Sequence, residues 1–80
     1  MTIHELKTWP EYWRAVCDRK KNFEVRKNDR GFEVGDILKL MEYDPTTPNG
    51  YTGRVLNRRI TYILDQPEFC KEGYVILSIE

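Results

Sequence analysis

Apolar and polar residues alternate along five short segments, which is the pattern that half-buried β-strands leave in a sequence. Leu38 and Leu40 share one face of the third segment, and Val75, Leu77 and Ile79 share one face of the last. We therefore predict β-strands over residues 4–7, 22–26, 36–43, 54–64 and 74–80.

A different spacing follows the first predicted strand. Apolar residues recur there at intervals of three and four, as in an amphipathic helix: Trp9, Tyr12, Trp13, Val16 and Cys17. Thr8 and Glu11 fit a capping box, and Pro10 is tolerated in the first turn because its missing N–H would have no partner there. We predict a helix that ends near residues 18–20. Its aromatic stripe is expected to face the core rather than to form a platform for stacking bases.

The elements follow one another as β-α-β-β-β-β, which indicates an α+β, mainly β fold. We expect a small mixed β-barrel of about five strands with one N-terminal amphipathic helix packed against it. Residues 44–50 are rich in turn formers and include an Asn-Gly step, so they predict a hairpin loop between the third and fourth strands. With 80 residues, the chain is expected to form a single domain over 1–80.

Composition narrows the classes of function. Thirteen basic and thirteen acidic residues cancel, which argues against non-specific binding to polyanions or anionic membranes but allows a local basic patch. No apolar run reaches the roughly 18 residues of a membrane helix, and the first residues lack a signal-peptide layout. Cys17 and Cys70 are isolated, with no ligand spacing around them, so we expect no metal and no cofactor. Two reduced thiols in a cytoplasmic protein are expected, although a disulfide between them remains open.

The densest polar chemistry lies between residues 14 and 30, where seven basic residues accompany three acidic ones. If Phe23 and Val25 face the core, Glu24 and Arg26 share the opposite face of their strand, about 7 Å apart. The preceding turn can bring Lys21 beside them. Arg26 is suited to a bidentate grip on phosphate, Glu24 to accepting from an exocyclic base amine, and Lys21 to acting as a point charge or a general base. The alternative is an ordinary solvated ion pair worth about 0–1 kcal/mol.

Five further residues complete the candidate binding set. His4 lies on the apolar face of the first strand, where a hydrogen-bonded structural histidine is the favoured interpretation, and Lys7 ends that strand. Asp29 either caps a turn or joins the site, and Arg30 is either an exposed loop arginine or a residue lying over the barrel mouth. Tyr62 can stack on a base, unless the strand face that it shares with apolar neighbours points into the core.

Residues 21–26, KNFEVR, resemble the core of the G-x-K-x-x-E-x-R signature of ASCH domains, which belong to the PUA-like superfamily. Residues 34–38, VGDIL, look like the Gly-Asp that opens the next strand in that family. The closer resemblance is to short bacterial and phage proteins described as ASCH-like RNA-binding domains of unknown function. Their hallmarks resemble five runs of this chain: HELK at 4–7, FEVRKNDR at 23–30, EYD at 42–44, YTGR at 51–54 and GYVIL at 73–77.

The resemblance implies a PUA-like barrel with a cleft between barrel and helix, in which Lys21, Glu24 and Arg26 cluster. It also implies RNA or a modified nucleobase, nucleoside or nucleotide as ligand. Two positions depart from the family pattern. Arg19 stands where the signature has glycine, so the turn between helix and strand is expected to differ. Small ASCH amidohydrolases of N4-acylated cytidines carry threonine where Glu24 stands, so their catalytic route is not available as written.

We therefore expect a module that binds RNA or a nucleotide. Lys21, Arg26 and Arg30 would hold phosphate, Glu24 would read a base amine, and Tyr62 would stack. One alternative is a small amidohydrolase acting on a modified cytidine-type nucleoside, with Lys21 and Glu24 as its catalytic pair. A second is a protein-interaction module that uses exposed strand edges.

Overall fold

Five strands and one helix follow one another in the predicted order. The computed structural model describes all 80 residues, 1–80. The elements are β1 (Ile3–Thr8), α1 (Pro10–Cys17), β2 (Phe23–Lys27), β3 (Ile37–Tyr43), β4 (Tyr51–Leu64) and β5 (Tyr74–Ile79). The predicted strands are therefore confirmed, with boundaries that move by a few residues. With eight residues, α1 falls far short of the about 20 that span a bilayer.

The strands form one mixed sheet in the order β1-β3-β4-β5-β2. The pair β1–β3 is parallel, and the other three pairs are antiparallel. β4 joins the two halves of the sheet, because residues 51–59 pair with β3 and residues 60–64 pair with β5. This mainly β, α+β architecture confirms the predicted class. The two end strands, β1 and β2, are not paired with each other.

The core lies between the inner face of the sheet and α1. Its buried apolar residues are Leu6, Trp13, Val16, Phe32, Leu38, Leu40, Ile60, Val75, Leu77 and Ile79. The alternation of β3 and β5 is confirmed, since each buries every second residue. The helix is tied to the sheet by the Trp13 indole, whose Nε1 donates to the Leu40 carbonyl oxygen at 3.1 Å.

The predicted start of the helix is wrong. Trp9, not Thr8, is the N-cap residue, and no side chain caps the helix. Thr8 belongs to β1, where its hydroxyl donates to the Leu6 carbonyl and accepts from Arg26. The apolar stripe is also narrower than predicted, because Trp13 and Val16 are buried whereas Trp9, Tyr12 and Cys17 are exposed. A sheet this small covers only part of the helix.

The predicted orientation of β2 is inverted. Glu24 points inward and is only 3% exposed, whereas Phe23 and Val25 lie on the outer face and are about half exposed. Glu24 and Arg26 do share a face, as the period of two requires. The inversion is possible because two cations neutralise the buried carboxylate.

A break in the alternation of β4 corrects the last strand prediction. The register between β4 and β5 shifts between Ile60 and Tyr62. Such a bulge moves the residues that follow it to the other face. Ile60 is therefore buried and Tyr62 exposed, although the sequence pattern assigned them to one face.

Candidate functional site

One cavity of about 370 Å³ opens where the end of β1, the start of α1 and β2 meet. We call it the Glu24 pocket. Its lining residues are Lys7, Thr8, Trp9, Tyr12, Lys21, Glu24, Val25 and Arg26. Four of the predicted binding residues are thus brought together: Lys7, Lys21, Glu24 and Arg26.

A buried carboxylate holds two cations at the floor of the pocket. Lys21 Nζ donates to Glu24 Oε1 at 2.5 Å, and Arg26 Nε donates to Glu24 Oε2 at 2.9 Å. Arg26 Nη2 lies 2.8 Å from the same Oε2. Both carboxylate oxygens therefore already accept from cations. With Lys7 added, three cations surround one anion, so the pocket carries a local positive excess.

Arg26 also joins the two end strands of the sheet. Its Nη1 donates to the Lys7 carbonyl oxygen and its Nη2 to the Thr8 hydroxyl, both at 3.1 Å. This side chain from β2 thus makes hydrogen bonds to β1 that the backbones do not make. A guanidinium has five N–H donors, and three of those of Arg26 donate hydrogen bonds here, which leaves two. A bidentate grip on phosphate, as predicted for Arg26, would compete with its contacts to Glu24, Lys7 and Thr8.

The turn after α1 explains how Lys21 reaches the pocket. Arg19 has φ 59°, in the left-handed region that glycine favours. The N–H of Arg19 donates to the Val16 carbonyl, and the N–H of Lys20 donates to the Ala15 carbonyl. This is the Schellman pattern of helix ends. Arg19 thus adopts a glycine-type conformation at the position where the signature motif has glycine. Lys21, and not Lys20, contacts Glu24.

Two aromatic side chains of the pocket were missed by sequence reasoning. Trp9 and Tyr12 are 50% and 47% exposed, although their helical spacing assigned them to the core. Lys21 Nζ lies 5.9 Å from the centre of the Tyr12 ring and 4.9 Å from that of Phe23. The available signal was the excess of apolar residues: five on two turns of helix are more than a thin core can cover.

His4 is buried near the opposite end of β1 from the Glu24 pocket. Its Nε2 donates to Asp36 Oδ2 at 2.8 Å, and its ring lies 4.7 Å from that of Phe32. Asp36 also accepts from the backbone N–H groups of Thr2 and Glu33. These hydrogen bonds, led by that from His4, lower the pKa of the Asp36 carboxyl to about 2. His4 therefore has the structural role that its position on the apolar face favoured.

The remaining predicted site residues lie away from the Glu24 pocket. Asp29 and Arg30 are exposed after β2, with a long contact of 3.9 Å between them. Arg30 borders a separate surface depression formed with residues of β1, β3 and β4. Tyr62 lies on the outer face of the sheet. Cys17 and Cys70 are both free, and no group of three or more His, Cys, Asp or Glu side chains has a metal-binding arrangement.

Two comparisons with known proteins match this chain. A family model described as a domain of unknown function, DUF3850, matches residues 3–79. An "uncharacterized 12.9 kDa protein in GpA 3′region" of Escherichia phage P2 is 40% identical over 75 residues. The aligned region covers 94% of this chain and 65% of the phage protein, so the chain spans slightly less than two thirds of that relative's length.

Proposed function

The chain belongs to the DUF3850 family, and on that premise we propose that it is an RNA-binding domain whose Glu24 pocket takes one nucleotide. One observation carries the proposal. Two half-exposed aromatic rings and two lysine side chains surround a single opening above a buried carboxylate. Aromatic faces stack on bases, and lysines attract phosphate, so each half of a nucleotide has a matching partner.

The base would lie against Trp9 and Tyr12. Both rings are presented at the start of α1 with about half of their surface free. The cavity of about 370 Å³ lies at the lower end of the range for small-molecule sites, about 300–1,000 Å³. This size favours one nucleoside-sized group in the pocket over a folded RNA element. Val25 adds an apolar side chain to the lining of the pocket.

The phosphate would be held by Lys7 and Lys21. Lys21 has three N–H donors, of which Glu24 and the Phe23 carbonyl take two, so one is available. Glu24 then acts mainly as a positioning residue for Lys21 and Arg26. A base amine that donates to Glu24 would share an oxygen that already accepts from a cation.

The finer family assignment is part of the same proposal. The KNFEVR run resembles the ASCH signature, and its Lys, Glu and Arg form one hydrogen-bonded cluster. We assign the fold to the PUA-like group and interpret β1 and β2 as the two sides of a barrel seam bridged by Arg26. The choice of RNA over other nucleotide ligands rests on this resemblance. A cytoplasmic location fits the two free thiols.

Binding is favoured over hydrolysis of an acylated cytidine. A hydrolase of this kind needs a free nucleophile or a positioned water. The Thr8 hydroxyl, which lines the pocket, already donates to the Leu6 carbonyl and accepts from Arg26. Its proton and one of its two lone pairs are therefore engaged in holding the end of β1.

The two tryptophans allow a direct test by NMR. Trp9 lines the pocket, whereas the Trp13 indole is buried and bonded to Leu40, so the two indole N–H signals report on different places. We expect titration with the four ribonucleoside 5′-monophosphates to shift the Trp9 signal and to leave the Trp13 signal in place. Adding N4-acetylcytidine and observing whether acetate is released tests hydrolysis in the same sample.

Neighbouring lysines supply a matched pair of variants. Lys21→Gln is expected to weaken nucleotide binding about 3- to 10-fold, because it removes a charged donor from the pocket. Lys20→Gln removes the same charge from the same turn outside the pocket and is expected to change affinity less than about 2-fold. A Trp9 signal that never moves, or equal losses in the two variants, would contradict the proposal.

A further inference from the structure

We propose that Tyr51 forms a second nucleotide subsite beside the Glu24 pocket, so that the ligand is single-stranded RNA of at least two nucleotides. The inference rests on the proposed function and extends it from one nucleotide to a strand. The inference rests on a row of aromatic rings that begins at Trp9 in the pocket and crosses the neighbouring strands β3 and β4.

The row has three members in edge-to-face contact. The Trp9 and Tyr43 ring centres are 5.8 Å apart, and those of Tyr43 and Tyr51 are 5.1 Å apart. Tyr43 and Tyr51 also oppose each other in the register of β3 and β4. Edge-to-face packing leaves ring faces open at the ends of such a row. Trp9 and Tyr51, the two end members, are both exposed, so each can stack on a separate base.

A glycine holds the middle ring in place. Gly50 has φ 86°, and a Cβ built on it would overlap the Tyr43 ring. The loop backbone therefore lies directly against this ring, which fixes Tyr43 between Trp9 and Tyr51. A fixed middle ring gives the two end rings a constant separation. Binding two bases to preset rings costs less conformational entropy than ordering free side chains does.

Lys7 supplies the charge between the two subsites. Its Nζ lies 4.1 Å from the centre of the Tyr43 ring, and the same side chain lines the Glu24 pocket. The ammonium group thus covers the middle ring and leaves the end rings for bases. A phosphate that links two nucleotides, one on Trp9 and one on Tyr51, would pass this group. Proteins that bind single-stranded nucleic acids commonly combine aromatic side chains with positively charged ones.

The test compares mononucleotides with dinucleotides. For each of the four bases, the Kd of the ribonucleoside 5′-monophosphate and that of the 5′-phosphorylated dinucleotide are measured from the Trp9 indole shift. We expect the best-bound dinucleotide to bind at least about 5-fold tighter than its mononucleotide, since stacking of a base on an aromatic ring commonly contributes that much or more. Tyr51→Ala is expected to remove this gain without changing mononucleotide affinity, and Tyr51→Phe to keep it.

Tyr62→Ala is the matched control, because Tyr62 is another exposed tyrosine of β4 outside the row. For this variant, the ratio of mononucleotide Kd to dinucleotide Kd is expected to equal that of the wild type. A dinucleotide that binds within 2-fold of the mononucleotide would overturn the second subsite, as would equal losses in Tyr51→Ala and Tyr62→Ala. If mononucleotides bind and Tyr12→Ala weakens them, the pocket survives such a result. If neither ligand binds the wild type, both proposals fail.

Discussion

Two buried carboxylates, Glu24 and Asp36, use the same charge in opposite ways. Both residues are 3% exposed, and all their buried polar atoms have partners. Asp36 is held by the His4 ring and two backbone N–H groups. Glu24 is held by the long side chains of Lys21 and Arg26. One carboxylate ties parts of the chain together, whereas the other holds two cations at an opening.

The two carboxylates differ in how exposed the side chains of their hydrogen-bond donors are. His4, the only side-chain partner of Asp36, is buried, and its ring packs on Phe32. The side chains that hold Glu24 are still 19% and 22% exposed and border a cavity. A buried ion pair of this kind is weak evidence for a purely stabilising role, because apolar residues would serve stability as well. The exposed side of the Glu24 cluster is therefore the better candidate for recognition.

Removing the Glu24 charge should have the largest effect. Glu24→Gln leaves two cations close together without a counter-charge, and we expect it to lower the free energy of unfolding by about 2–3 kcal/mol. That is less than for a fully buried pair, because water reaches both cations. Chemical denaturation measures the loss. Glu5→Gln is the control, since Glu5 pairs with Lys39 on the surface at 3.3 Å and should contribute at most about 1 kcal/mol.

Glu24→Gln and Asp36→Asn together distinguish the functions of the two carboxylates. Glu24→Gln should also lose nucleotide binding, because Lys21 is no longer held over the pocket. Asp36→Asn should lose stability but bind nucleotide normally wherever it remains folded. Equal stability losses for Glu24→Gln and Glu5→Gln, or normal nucleotide binding by Glu24→Gln, would contradict the comparison.

Acid should act on the Asp36 cluster through its lowered pKa. Folding lowers the pKa of the Asp36 carboxyl from 3.8 to about 2, so the unfolded chain binds this proton more tightly. The contribution of Asp36 to stability is therefore complete above about pH 4 and is lost as the pH falls toward 2. Asp44, whose pKa is lowered by hydrogen bonds from Thr46, acts in the same direction.

Urea denaturation of wild type and Asp36→Asn between pH 5 and pH 2 isolates the contribution of Asp36 to the pH dependence of stability. The difference in stability between wild type and Asp36→Asn should shrink as the pH falls through this window. His4→Ala removes the largest cause of the shift, so the pKa of Asp36 should rise toward 3.8. The acid-induced loss of stability should then be smaller and should be complete at a higher pH. A difference that stays constant from pH 5 to pH 2 would show that folding does not shift this group.

The sequence predicted the fold best where burial follows hydrophobicity. Leu38, Leu40 and Leu77 are apolar, alternate with more polar residues and are fully buried, so the period alone places them. The pattern failed for β2, where Glu24 is buried and Phe23 is exposed. Hydrophobicity cannot predict such a strand, because the burial of a charge depends on partners that the tertiary structure supplies.

The site was predictable in its charges and not in its aromatic residues. Strand geometry and the resemblance to the signature motif both predicted a cluster of three residues that are close in sequence, Lys21, Glu24 and Arg26. The role of Thr8 was missed because its partner, Arg26, lies 18 residues away in the sequence. The local sequence pointed instead to Thr8 as a helix cap. Trp9 and Tyr12 were assigned to the core because helical spacing identifies an apolar face but not how much of it the sheet covers.

The turn that carries Lys21 to Glu24 offers the smallest and most specific prediction. Arg19 has φ 59° there, and for an L-residue this conformation costs about 1–2 kcal/mol relative to glycine. Glycine also gains entropy in the unfolded chain, which offsets part of the benefit. We therefore expect Arg19→Gly to raise stability by about 0.5–1 kcal/mol, an increase in Tm of about 2–8 °C.

The adjacent residue is the control for this effect. Lys20 has no left-handed φ, so Lys20→Gly should lower stability by about 0.5–1 kcal/mol. Nucleotide affinity should be unchanged in Arg19→Gly, because the hydrogen bonds of the helix end that place Lys21 are made by the backbone. If both glycine variants lose stability, the turn is not strained at Arg19. If Arg19→Gly is more stable but binds more weakly, the Arg19 side chain itself contributes to the Glu24 pocket.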